Sequence, residues 1–481
     1  MRRAYSIPAS ALRNLSEWNS VLATSSGLGF DTLLLSPSRQ NAFADLVCGD
    51  LDIARLVALA SDRSLQIILD VPILSVPAMS TAARILDLSE NAMGARDPRI
   101  APAERQNLPI SFSDELKART WIDILRKRLL ELQELGIAGF CCRLKPGMPE
   151  WIFPLLAGGG QSQAANTGIP LWISLARLDD VPEFESIVFA GAFLPAINLF
   201  ETGSLARVAE ASRFFAEMIF ATDEPPQGRR KVQDCDQAVI EKRSKFLLWA
   251  SAALGDGILI PMGFEYGLVG SVGHSLYTAK SWFDLAGDRP FDLSEDIAAA
   301  NALVGSESGQ SKPSAVWPAA AGKVLAAIRR SGDKTGIRVV LANPDMDRDT
   351  SLAGSSISRE VGEFLPLKDA LRSGSSLVPD DTVTLRAGEV RILEGSRAAV
   401  IRSRQPFSPA AEVGLRLVIE AVAVDRQVGH PLLEVGQVDA ADFRPGCQCR
   451  RRHLYPVPAA IFRAPDQSVV RSHPDDSGAQ R

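Results

Sequence analysis

Up to about residue 305 the chain alternates short, continuously apolar runs with stretches of helical character. The apolar runs are Arg3–Ile7, Thr32–Ser36, Gln66–Val71, Ala138–Cys142, Leu171–Ser174, Ile187–Ala190, Met218–Ala221 and Ile258–Pro261. Helical segments such as Asp114–Leu135 and Gln237–Leu254 lie between them. Strands alternating with helices are the sign of βα units around a parallel sheet. Strands that lack a polar side suit a sheet buried on both faces. Eight of them predict an α/β fold, a closed (β/α)8 TIM barrel over 1–305, with each strand's C-terminal end feeding the functional face.

Near Gly305–Lys312 the pattern gives way to Gly and Ser, as in a linker. Short strand-like runs then follow at Gly336–Ala342, Thr382–Leu385 and Glu389–Leu393. The turn clusters Asn343-Pro344-Asp345 and Pro379-Asp380-Asp381 separate them. This predicts a C-terminal antiparallel β-sandwich over 317–402. A further β-type run at Leu415–Ala423 starts a third segment, 412–481, read as an incomplete β piece followed by a disordered or out-of-frame tail.

Charge and cysteine content narrow the class. Lys and Arg number 52 against 57 Asp and Glu, so no basic footprint for nucleic acid is present. No apolar run reaches the roughly 18 residues of a membrane helix. Met1-Arg2-Arg3-Ala4-Tyr5 leads into no signal-peptide core, so the expectation is a cytoplasmic protein with neither nucleic-acid nor membrane partners. Cys48, Cys141, Cys142, Cys235, Cys447 and Cys449 are too scattered for a disulfide framework. Adjacent Cys141 and Cys142 fall on opposite faces of a strand and read as small buried residues. Cys447-x-Cys449 with His453 fits no common zinc spacing, and neither metal nor cofactor is expected.

Several segments then fall into a familiar order. They are Gly29-Phe30-Asp31-Thr32-Leu33-Leu34-Leu35-Ser36-Pro37, Leu69-Asp70-Val71, Gly139-Phe140-Cys141-Cys142-Arg143 with Pro149-Glu150-Trp151, and Pro261-Met262-Gly263-Phe264-Glu265-Tyr266-Gly267. Phe291-Asp292-Leu293-Ser294 and Ile337–Asp345 come after them. In this order they resemble the second, third, fourth and eighth strand motifs of the α-amylase superfamily (glycoside hydrolase family 13), the following helix, and the start of the C-terminal sandwich. The likeness covers about Arg3 to Leu393. Within the superfamily it is nearest to α-1,4-glucan:maltose-1-phosphate maltosyltransferases and the amylase-like modules fused to them.

The resemblance implies a retaining mechanism with a carboxylate nucleophile after strand four, a Glu acid after strand five, and an Asp after strand seven that holds sugar hydroxyls. The first two carboxyls must sit roughly 5–5.5 Å apart. Here the nucleophile position holds Arg143 and the preceding arginine position holds Cys141. Guanidinium has no acceptor lone pair and keeps its proton. Ile173 aligns with the acid, and an aliphatic side chain transfers no proton. Asp223 can stand as the strand-seven Asp, with Thr222 in place of the usual His, while Leu74 and Ser75 replace a common Asn-His. The first 429 residues contain one histidine, His274, at no matching position.

Asp70, Asp223 and Glu265 are the substrate-binding candidates; the plainer alternative for each is a structural carboxylate. Trp172 and Trp282 are aromatics of the kind that stack on sugars, with a core role as the commoner use. A charge such as Arg143 at a strand end cannot stay buried and unpaired, so it is expected to pair with Asp70 or Asp223, or else to hold a phosphate or carboxylate. Three readings follow. One is a non-catalytic module that binds α-glucan or maltooligosaccharide, or assembles with an active maltosyltransferase or with itself. Another is an active α-glucan enzyme using a displaced carboxylate such as Glu224 or Glu265. The third is a structural fusion remnant without ligand.

Overall fold

The computed structural model describes residues 2–8, 12, 14–36, 53–77, 81–88, 107–143, 148–149, 151–157, 168–175, 189–196, 207–208, 210, 215–222, 236–267, 289–305, 315–319, 324–330, 336–361, 366–371, 376–377 and 381–396. Eight parallel strands close a barrel: β1 (Arg2–Pro8), β2 (Thr32–Ser36), β3 (Gln66–Val71), β6 (Gly139–Arg143), β7 (Leu171–Ser174), β8 (Gly191–Pro195), β9 (Met218–Ala221) and β10 (Gly257–Pro261). Between β3 and β6 the chain forms a small two-stranded antiparallel sheet, β4 (Ser75–Pro77) with β5 (Asn107–Pro109).

The missing polar alternation in these strands has its cause in two cores. One residue from each barrel strand fills the lumen: Ala4, Leu34, Ile68, Cys141, Trp172, Phe193, Ile219 and Leu259. Their sequence neighbours, among them Tyr5, Leu33, Leu69, Phe140, Cys142, Ile173, Leu194, Phe220 and Ile260, join the larger core under the surrounding helices. A period of 2 therefore sends alternate residues into different apolar layers.

One barrel strand lies elsewhere than the pattern indicates. Ile187–Ala190 is the more β-rich run, yet the sixth strand is Gly191–Pro195, and Phe189 makes only an isolated bridge to Phe215. Gly191 is required at the start of that strand, because a Cβ there would lie 2.0 Å from the Trp172 ring.

The C-terminal part is antiparallel. β11 (Ala315–Ala319), β12 (Val324–Arg330), β13 (Gly336–Ala342), β18 (Val390–Ser396), β15 (Leu367–Asp369) and β16 (Ser376–Leu377) form one sheet in that spatial order. β14 (Thr350–Ala353) and β17 (Thr382–Leu385) form a second. The sheets share a core of Val324, Ile328, Val339, Leu341, Leu352, Val383 and Leu385, among others. The opposite face of the larger sheet, through Ala327, Val340 and Ile392, joins the barrel's outer core. Strands β11, β12, β14, β15 and β16 are additions to the three runs that the pattern shows. Pro318 is tolerated in β11 because that strand sits at the sheet edge. The Leu415–Ala423 run and the tail lie outside the described residues. Among the described residues, no helix is long and apolar enough to cross a membrane.

Candidate functional site

Arg143, at the C-terminal end of β6, is aimed by the turn before its strand. Helix Glu115–Glu134 buries Trp121, Ile122, Leu125, Leu129 and Leu132, and ends where Gly136 takes a left-handed φ of 102°. The amides of Gly136 and Ile137 bond back to Gln133 and Leu132, which closes the helix. A Cβ on Gly136 would also lie 2.8 Å from Val57. Released from the helix, the chain bonds Ala138 N to Ile67 O and runs beside β3, with Asp70 opposite Cys141. Cys141 enters the lumen, so Arg143, two residues on, faces the barrel mouth.

The same alternation sets the rest of the mouth: Ser6, Ser36, Asp70, Ser174, Pro195, Ala221 and Pro261, all half-buried. Asp70 is the one carboxylate among these strand-end residues. Its Oδ2 accepts from Arg143 Nη2 at 2.9 Å and from Ser36 Oγ at 3.3 Å. Of the two pairings considered for Arg143, the structure contains the one with Asp70. Asp70 raises the arginine's pKa further, so the guanidinium remains a cation. Its side chain is 67% exposed while that of Asp70 is 14% exposed, so the pair is solvent-screened and contributes at most about 1 kcal/mol to stability. Burial pushes both the Cys141 and Cys142 thiols up, which leaves them inert beneath the mouth.

The other candidates separate. Ile173 points outward into the layer beneath the helices, and Ser174 is the residue of β7 that faces the mouth. The strand-five position at the lumen is therefore a hydroxyl, a point that the period of 2 around buried Trp172 could have revealed. Trp172 is 1% exposed inside the lumen, stacked on Phe193 at 5.2 Å and covered by Arg2 at 4.8 Å. It is a core residue with no face for a sugar. Thr222 is buried, Ser75 opens β4 with Leu74 just before it, and Asp223, Glu224, Glu150, His274 and Trp282 lie outside the described residues.

Glu265 is 3% exposed, in the short turn Phe264–Tyr266 between Gly263 and Gly267, both left-handed. Its Oε1 accepts from Tyr5 Oη at 2.6 Å and its Oε2 from Gly263 N at 3.0 Å. Its backbone carbonyl accepts from Leu293 N, just ahead of helix Ser294–Gly305. These contacts make Glu265 a buried brace that ties the turn after β10 to Tyr5 of β1. Burial pushes its pKa from 4.5 up to about 7, with Asp292 adding to the rise and the two hydrogen bonds opposing it.

Because this folded pKa lies above the unfolded one, the carboxyl's contribution is full below about pH 4.5 and is lost as pH rises through about 7. We expect Glu265→Gln to remove that slope. The stability difference between wild type and variant should move by roughly 2–4 kcal/mol in the variant's favour between pH 4.5 and 8. Urea titrations at closely spaced pH values would read it; parallel profiles for the two proteins would refute it.

No protein-family model matches the chain. Among solved structures, an α-amylase from Anoxybacillus superposes with a TM-score of 0.56 at 13% identity, covering 82% of this chain and 98% of that one. Amy13B of Eubacterium rectale gives 0.55 at 10% identity, over 82% of this chain and 95% of that one. An α-amylase of Geobacillus thermoleovorans in complex with acarbose gives 0.52 at 11%, over 82% and 98%. The chain thus has the fold of the α-amylase family, glycoside hydrolase family 13. In sequence it is similar to the α-1,4-glucan:maltose-1-phosphate maltosyltransferase of Burkholderia pseudomallei (strain K96243), 27% identical over 275 residues. That stretch is 50% of this chain but only 23% of the relative's length.

Proposed function

We propose that the chain is a non-catalytic, carbohydrate-binding member of the α-amylase fold in α-glucan metabolism, working beside an active maltosyltransferase. The observation that carries this reading is Arg143. A fixed cation stands at the strand end where the fold's retaining enzymes hold a carboxylate, and it is tied to Asp70. A group without a lone pair cannot attack an anomeric carbon, and its charge opposes the oxocarbenium-like centre that such a reaction builds. Ser174 at the neighbouring strand end has no acidic proton to give a leaving group at neutral pH. The burial and double hydrogen bonding of Glu265 count against it as a substitute nucleophile.

The expected outcome is no release of phosphate or sugar from maltose 1-phosphate with glycogen, and none from maltooligosaccharides. The variant Arg143→Asp should stay inactive, since a lone carboxylate lacks its acid partner. Retardation in a glycogen-containing native gel is expected. Turnover by the wild-type chain above a no-protein control would defeat the non-catalytic reading, and unchanged mobility in the gel would favour a ligand-free structural remnant.

A further inference from the structure

The Arg143 guanidinium spends one nitrogen on Asp70, and the rest of its donor fork is open to solvent at the barrel mouth. Five N–H groups in a plane are matched to two oxygens of one anionic group. In strand register Arg143 is the direct partner of Ser174, and both side chains lie on the lumen side. A hydroxyl donor therefore stands one strand away from the open edge of the fork. The only carboxylate among the described strand-end residues already has Oδ2 engaged by Ser36 and Arg143. Its hold on so exposed an arginine is weak, on the order of 1 kcal/mol or less. An arriving oxyanion can take two charge-assisted bonds from the remaining fork without breaking that contact. The rest of the ring, Ser6 with Pro195, Ala221 and Pro261, offers a hydroxyl and apolar surface to a sugar ring and no competing charge.

We propose that this mouth selects sugars that carry an oxyanion, with the anionic group seated on Arg143 and Ser174. The anion would thus occupy the strand end where the fold's retaining enzymes keep an anion of their own. Phosphate monoesters and sugar carboxylates share the required chemistry, and the two are separated by experiment. The inference rests on the carbohydrate-binding reading above and deepens it by naming the ligand's charge.

Isothermal titration of the full chain with glucose, glucose 1-phosphate, glucuronate, inorganic phosphate and maltoheptaose tests it, at low and at high salt. One or both anionic sugars should bind at least about 10-fold more tightly than glucose, a difference that salt erodes. Comparing glucose 1-phosphate with glucuronate tells which oxyanion is preferred. Arg143→Gln should abolish the preference with an unchanged melting temperature, Arg143→Lys should keep part of it, and Ser174→Ala should weaken it. The proposal is overturned if the anionic sugars bind no better than glucose, or if their advantage survives Arg143→Gln. Binding of maltoheptaose without any preference for anions would sink this inference alone. Failure of every sugar to bind would sink the carbohydrate-binding reading with it.

Discussion

Arg329→Ala should lower the stability of the chain by about 3–5 kcal/mol, the range for removing one partner of a buried ion pair. Arg329 lies on β12 with its side chain fully buried, and it reaches from the C-terminal sheet to the barrel. Its Nη2 meets Asp256 Oδ1 at 3.0 Å, and its Nη1 donates to the carbonyls of Leu254 and Gly255. Those carbonyls end helix Gln237–Leu254, where the last C=O groups lack intrahelical partners and the helix dipole favours a cation. Asp256 is fixed in turn, because its Oδ2 accepts from Met218 N at 2.9 Å. Gly255 allows the close turn: a Cβ there would lie 2.5 Å from Gly257 O. Burial lowers the Arg329 pKa and Asp256 opposes the shift, so the arginine remains charged. Truncation would strand both a carboxylate and two carbonyls in the interface. Arg329→Lys should recover part of the loss, since one ammonium cannot serve the carboxylate and the helix end with the same fork geometry. Urea unfolding of wild type and both variants would measure this. A loss below about 1 kcal/mol for the alanine variant would show that the clamp is not load-sharing between sheet and barrel.

This arginine also shows where sequence reading stops. The β12 run Val324–Arg330 is rich in Ala and ends in two arginines, and neither marks a strand. It is a strand because β13 pairs along its length and because Asp256, 73 residues away, neutralises the buried charge. No local pattern carries that information. The barrel strands were legible for the opposite reason: buried on both faces, they needed only continuous apolar residues, and Thr32–Ser36, Gln66–Val71, Leu171–Ser174 and Met218–Ala221 fall where the pattern puts them. The site was legible in part. Arg143 could be placed at a strand end with Asp70 or Asp223 as its partner, and it is the neighbouring register of β3 and β6 that brings Asp70 to it. Ile173 and Ser174 separate only once Trp172 is known to fill the lumen, because the period of 2 then sends Ser174 to the mouth and Ile173 outward. Glu265 is a brace only because the backbone folds it back under Tyr5, and that depends on two left-handed glycines acting together.

The second large effect concerns the lumen, where Gly191 and Trp172 should behave as one unit. Trp172→Ala alone should cost about 3–5 kcal/mol, as for other large aromatics removed from a core. Gly191→Ala alone should be destabilising by about 1–3 kcal/mol or more, because the new methyl would lie 2.0 Å from the indole. The ring has little room to retreat: Phe193 stacks on it at 5.2 Å and the Arg2 guanidinium lies 4.8 Å from its centroid. With the indole gone, the same methyl meets empty space, and its restriction of the unfolded chain should make it neutral or stabilising by about 0.4–1 kcal/mol. The double variant should therefore be no less stable than Trp172→Ala, with a coupling of about 1–4 kcal/mol between the two sites. Additive losses in the thermal or urea unfolding of the four proteins would mean that Gly191 is needed for its own backbone and not for the ring above it. In that case the start of the sixth strand at Gly191, and with it the register from β7 to β8 that points Ser174 at the mouth, would have another cause than this packing.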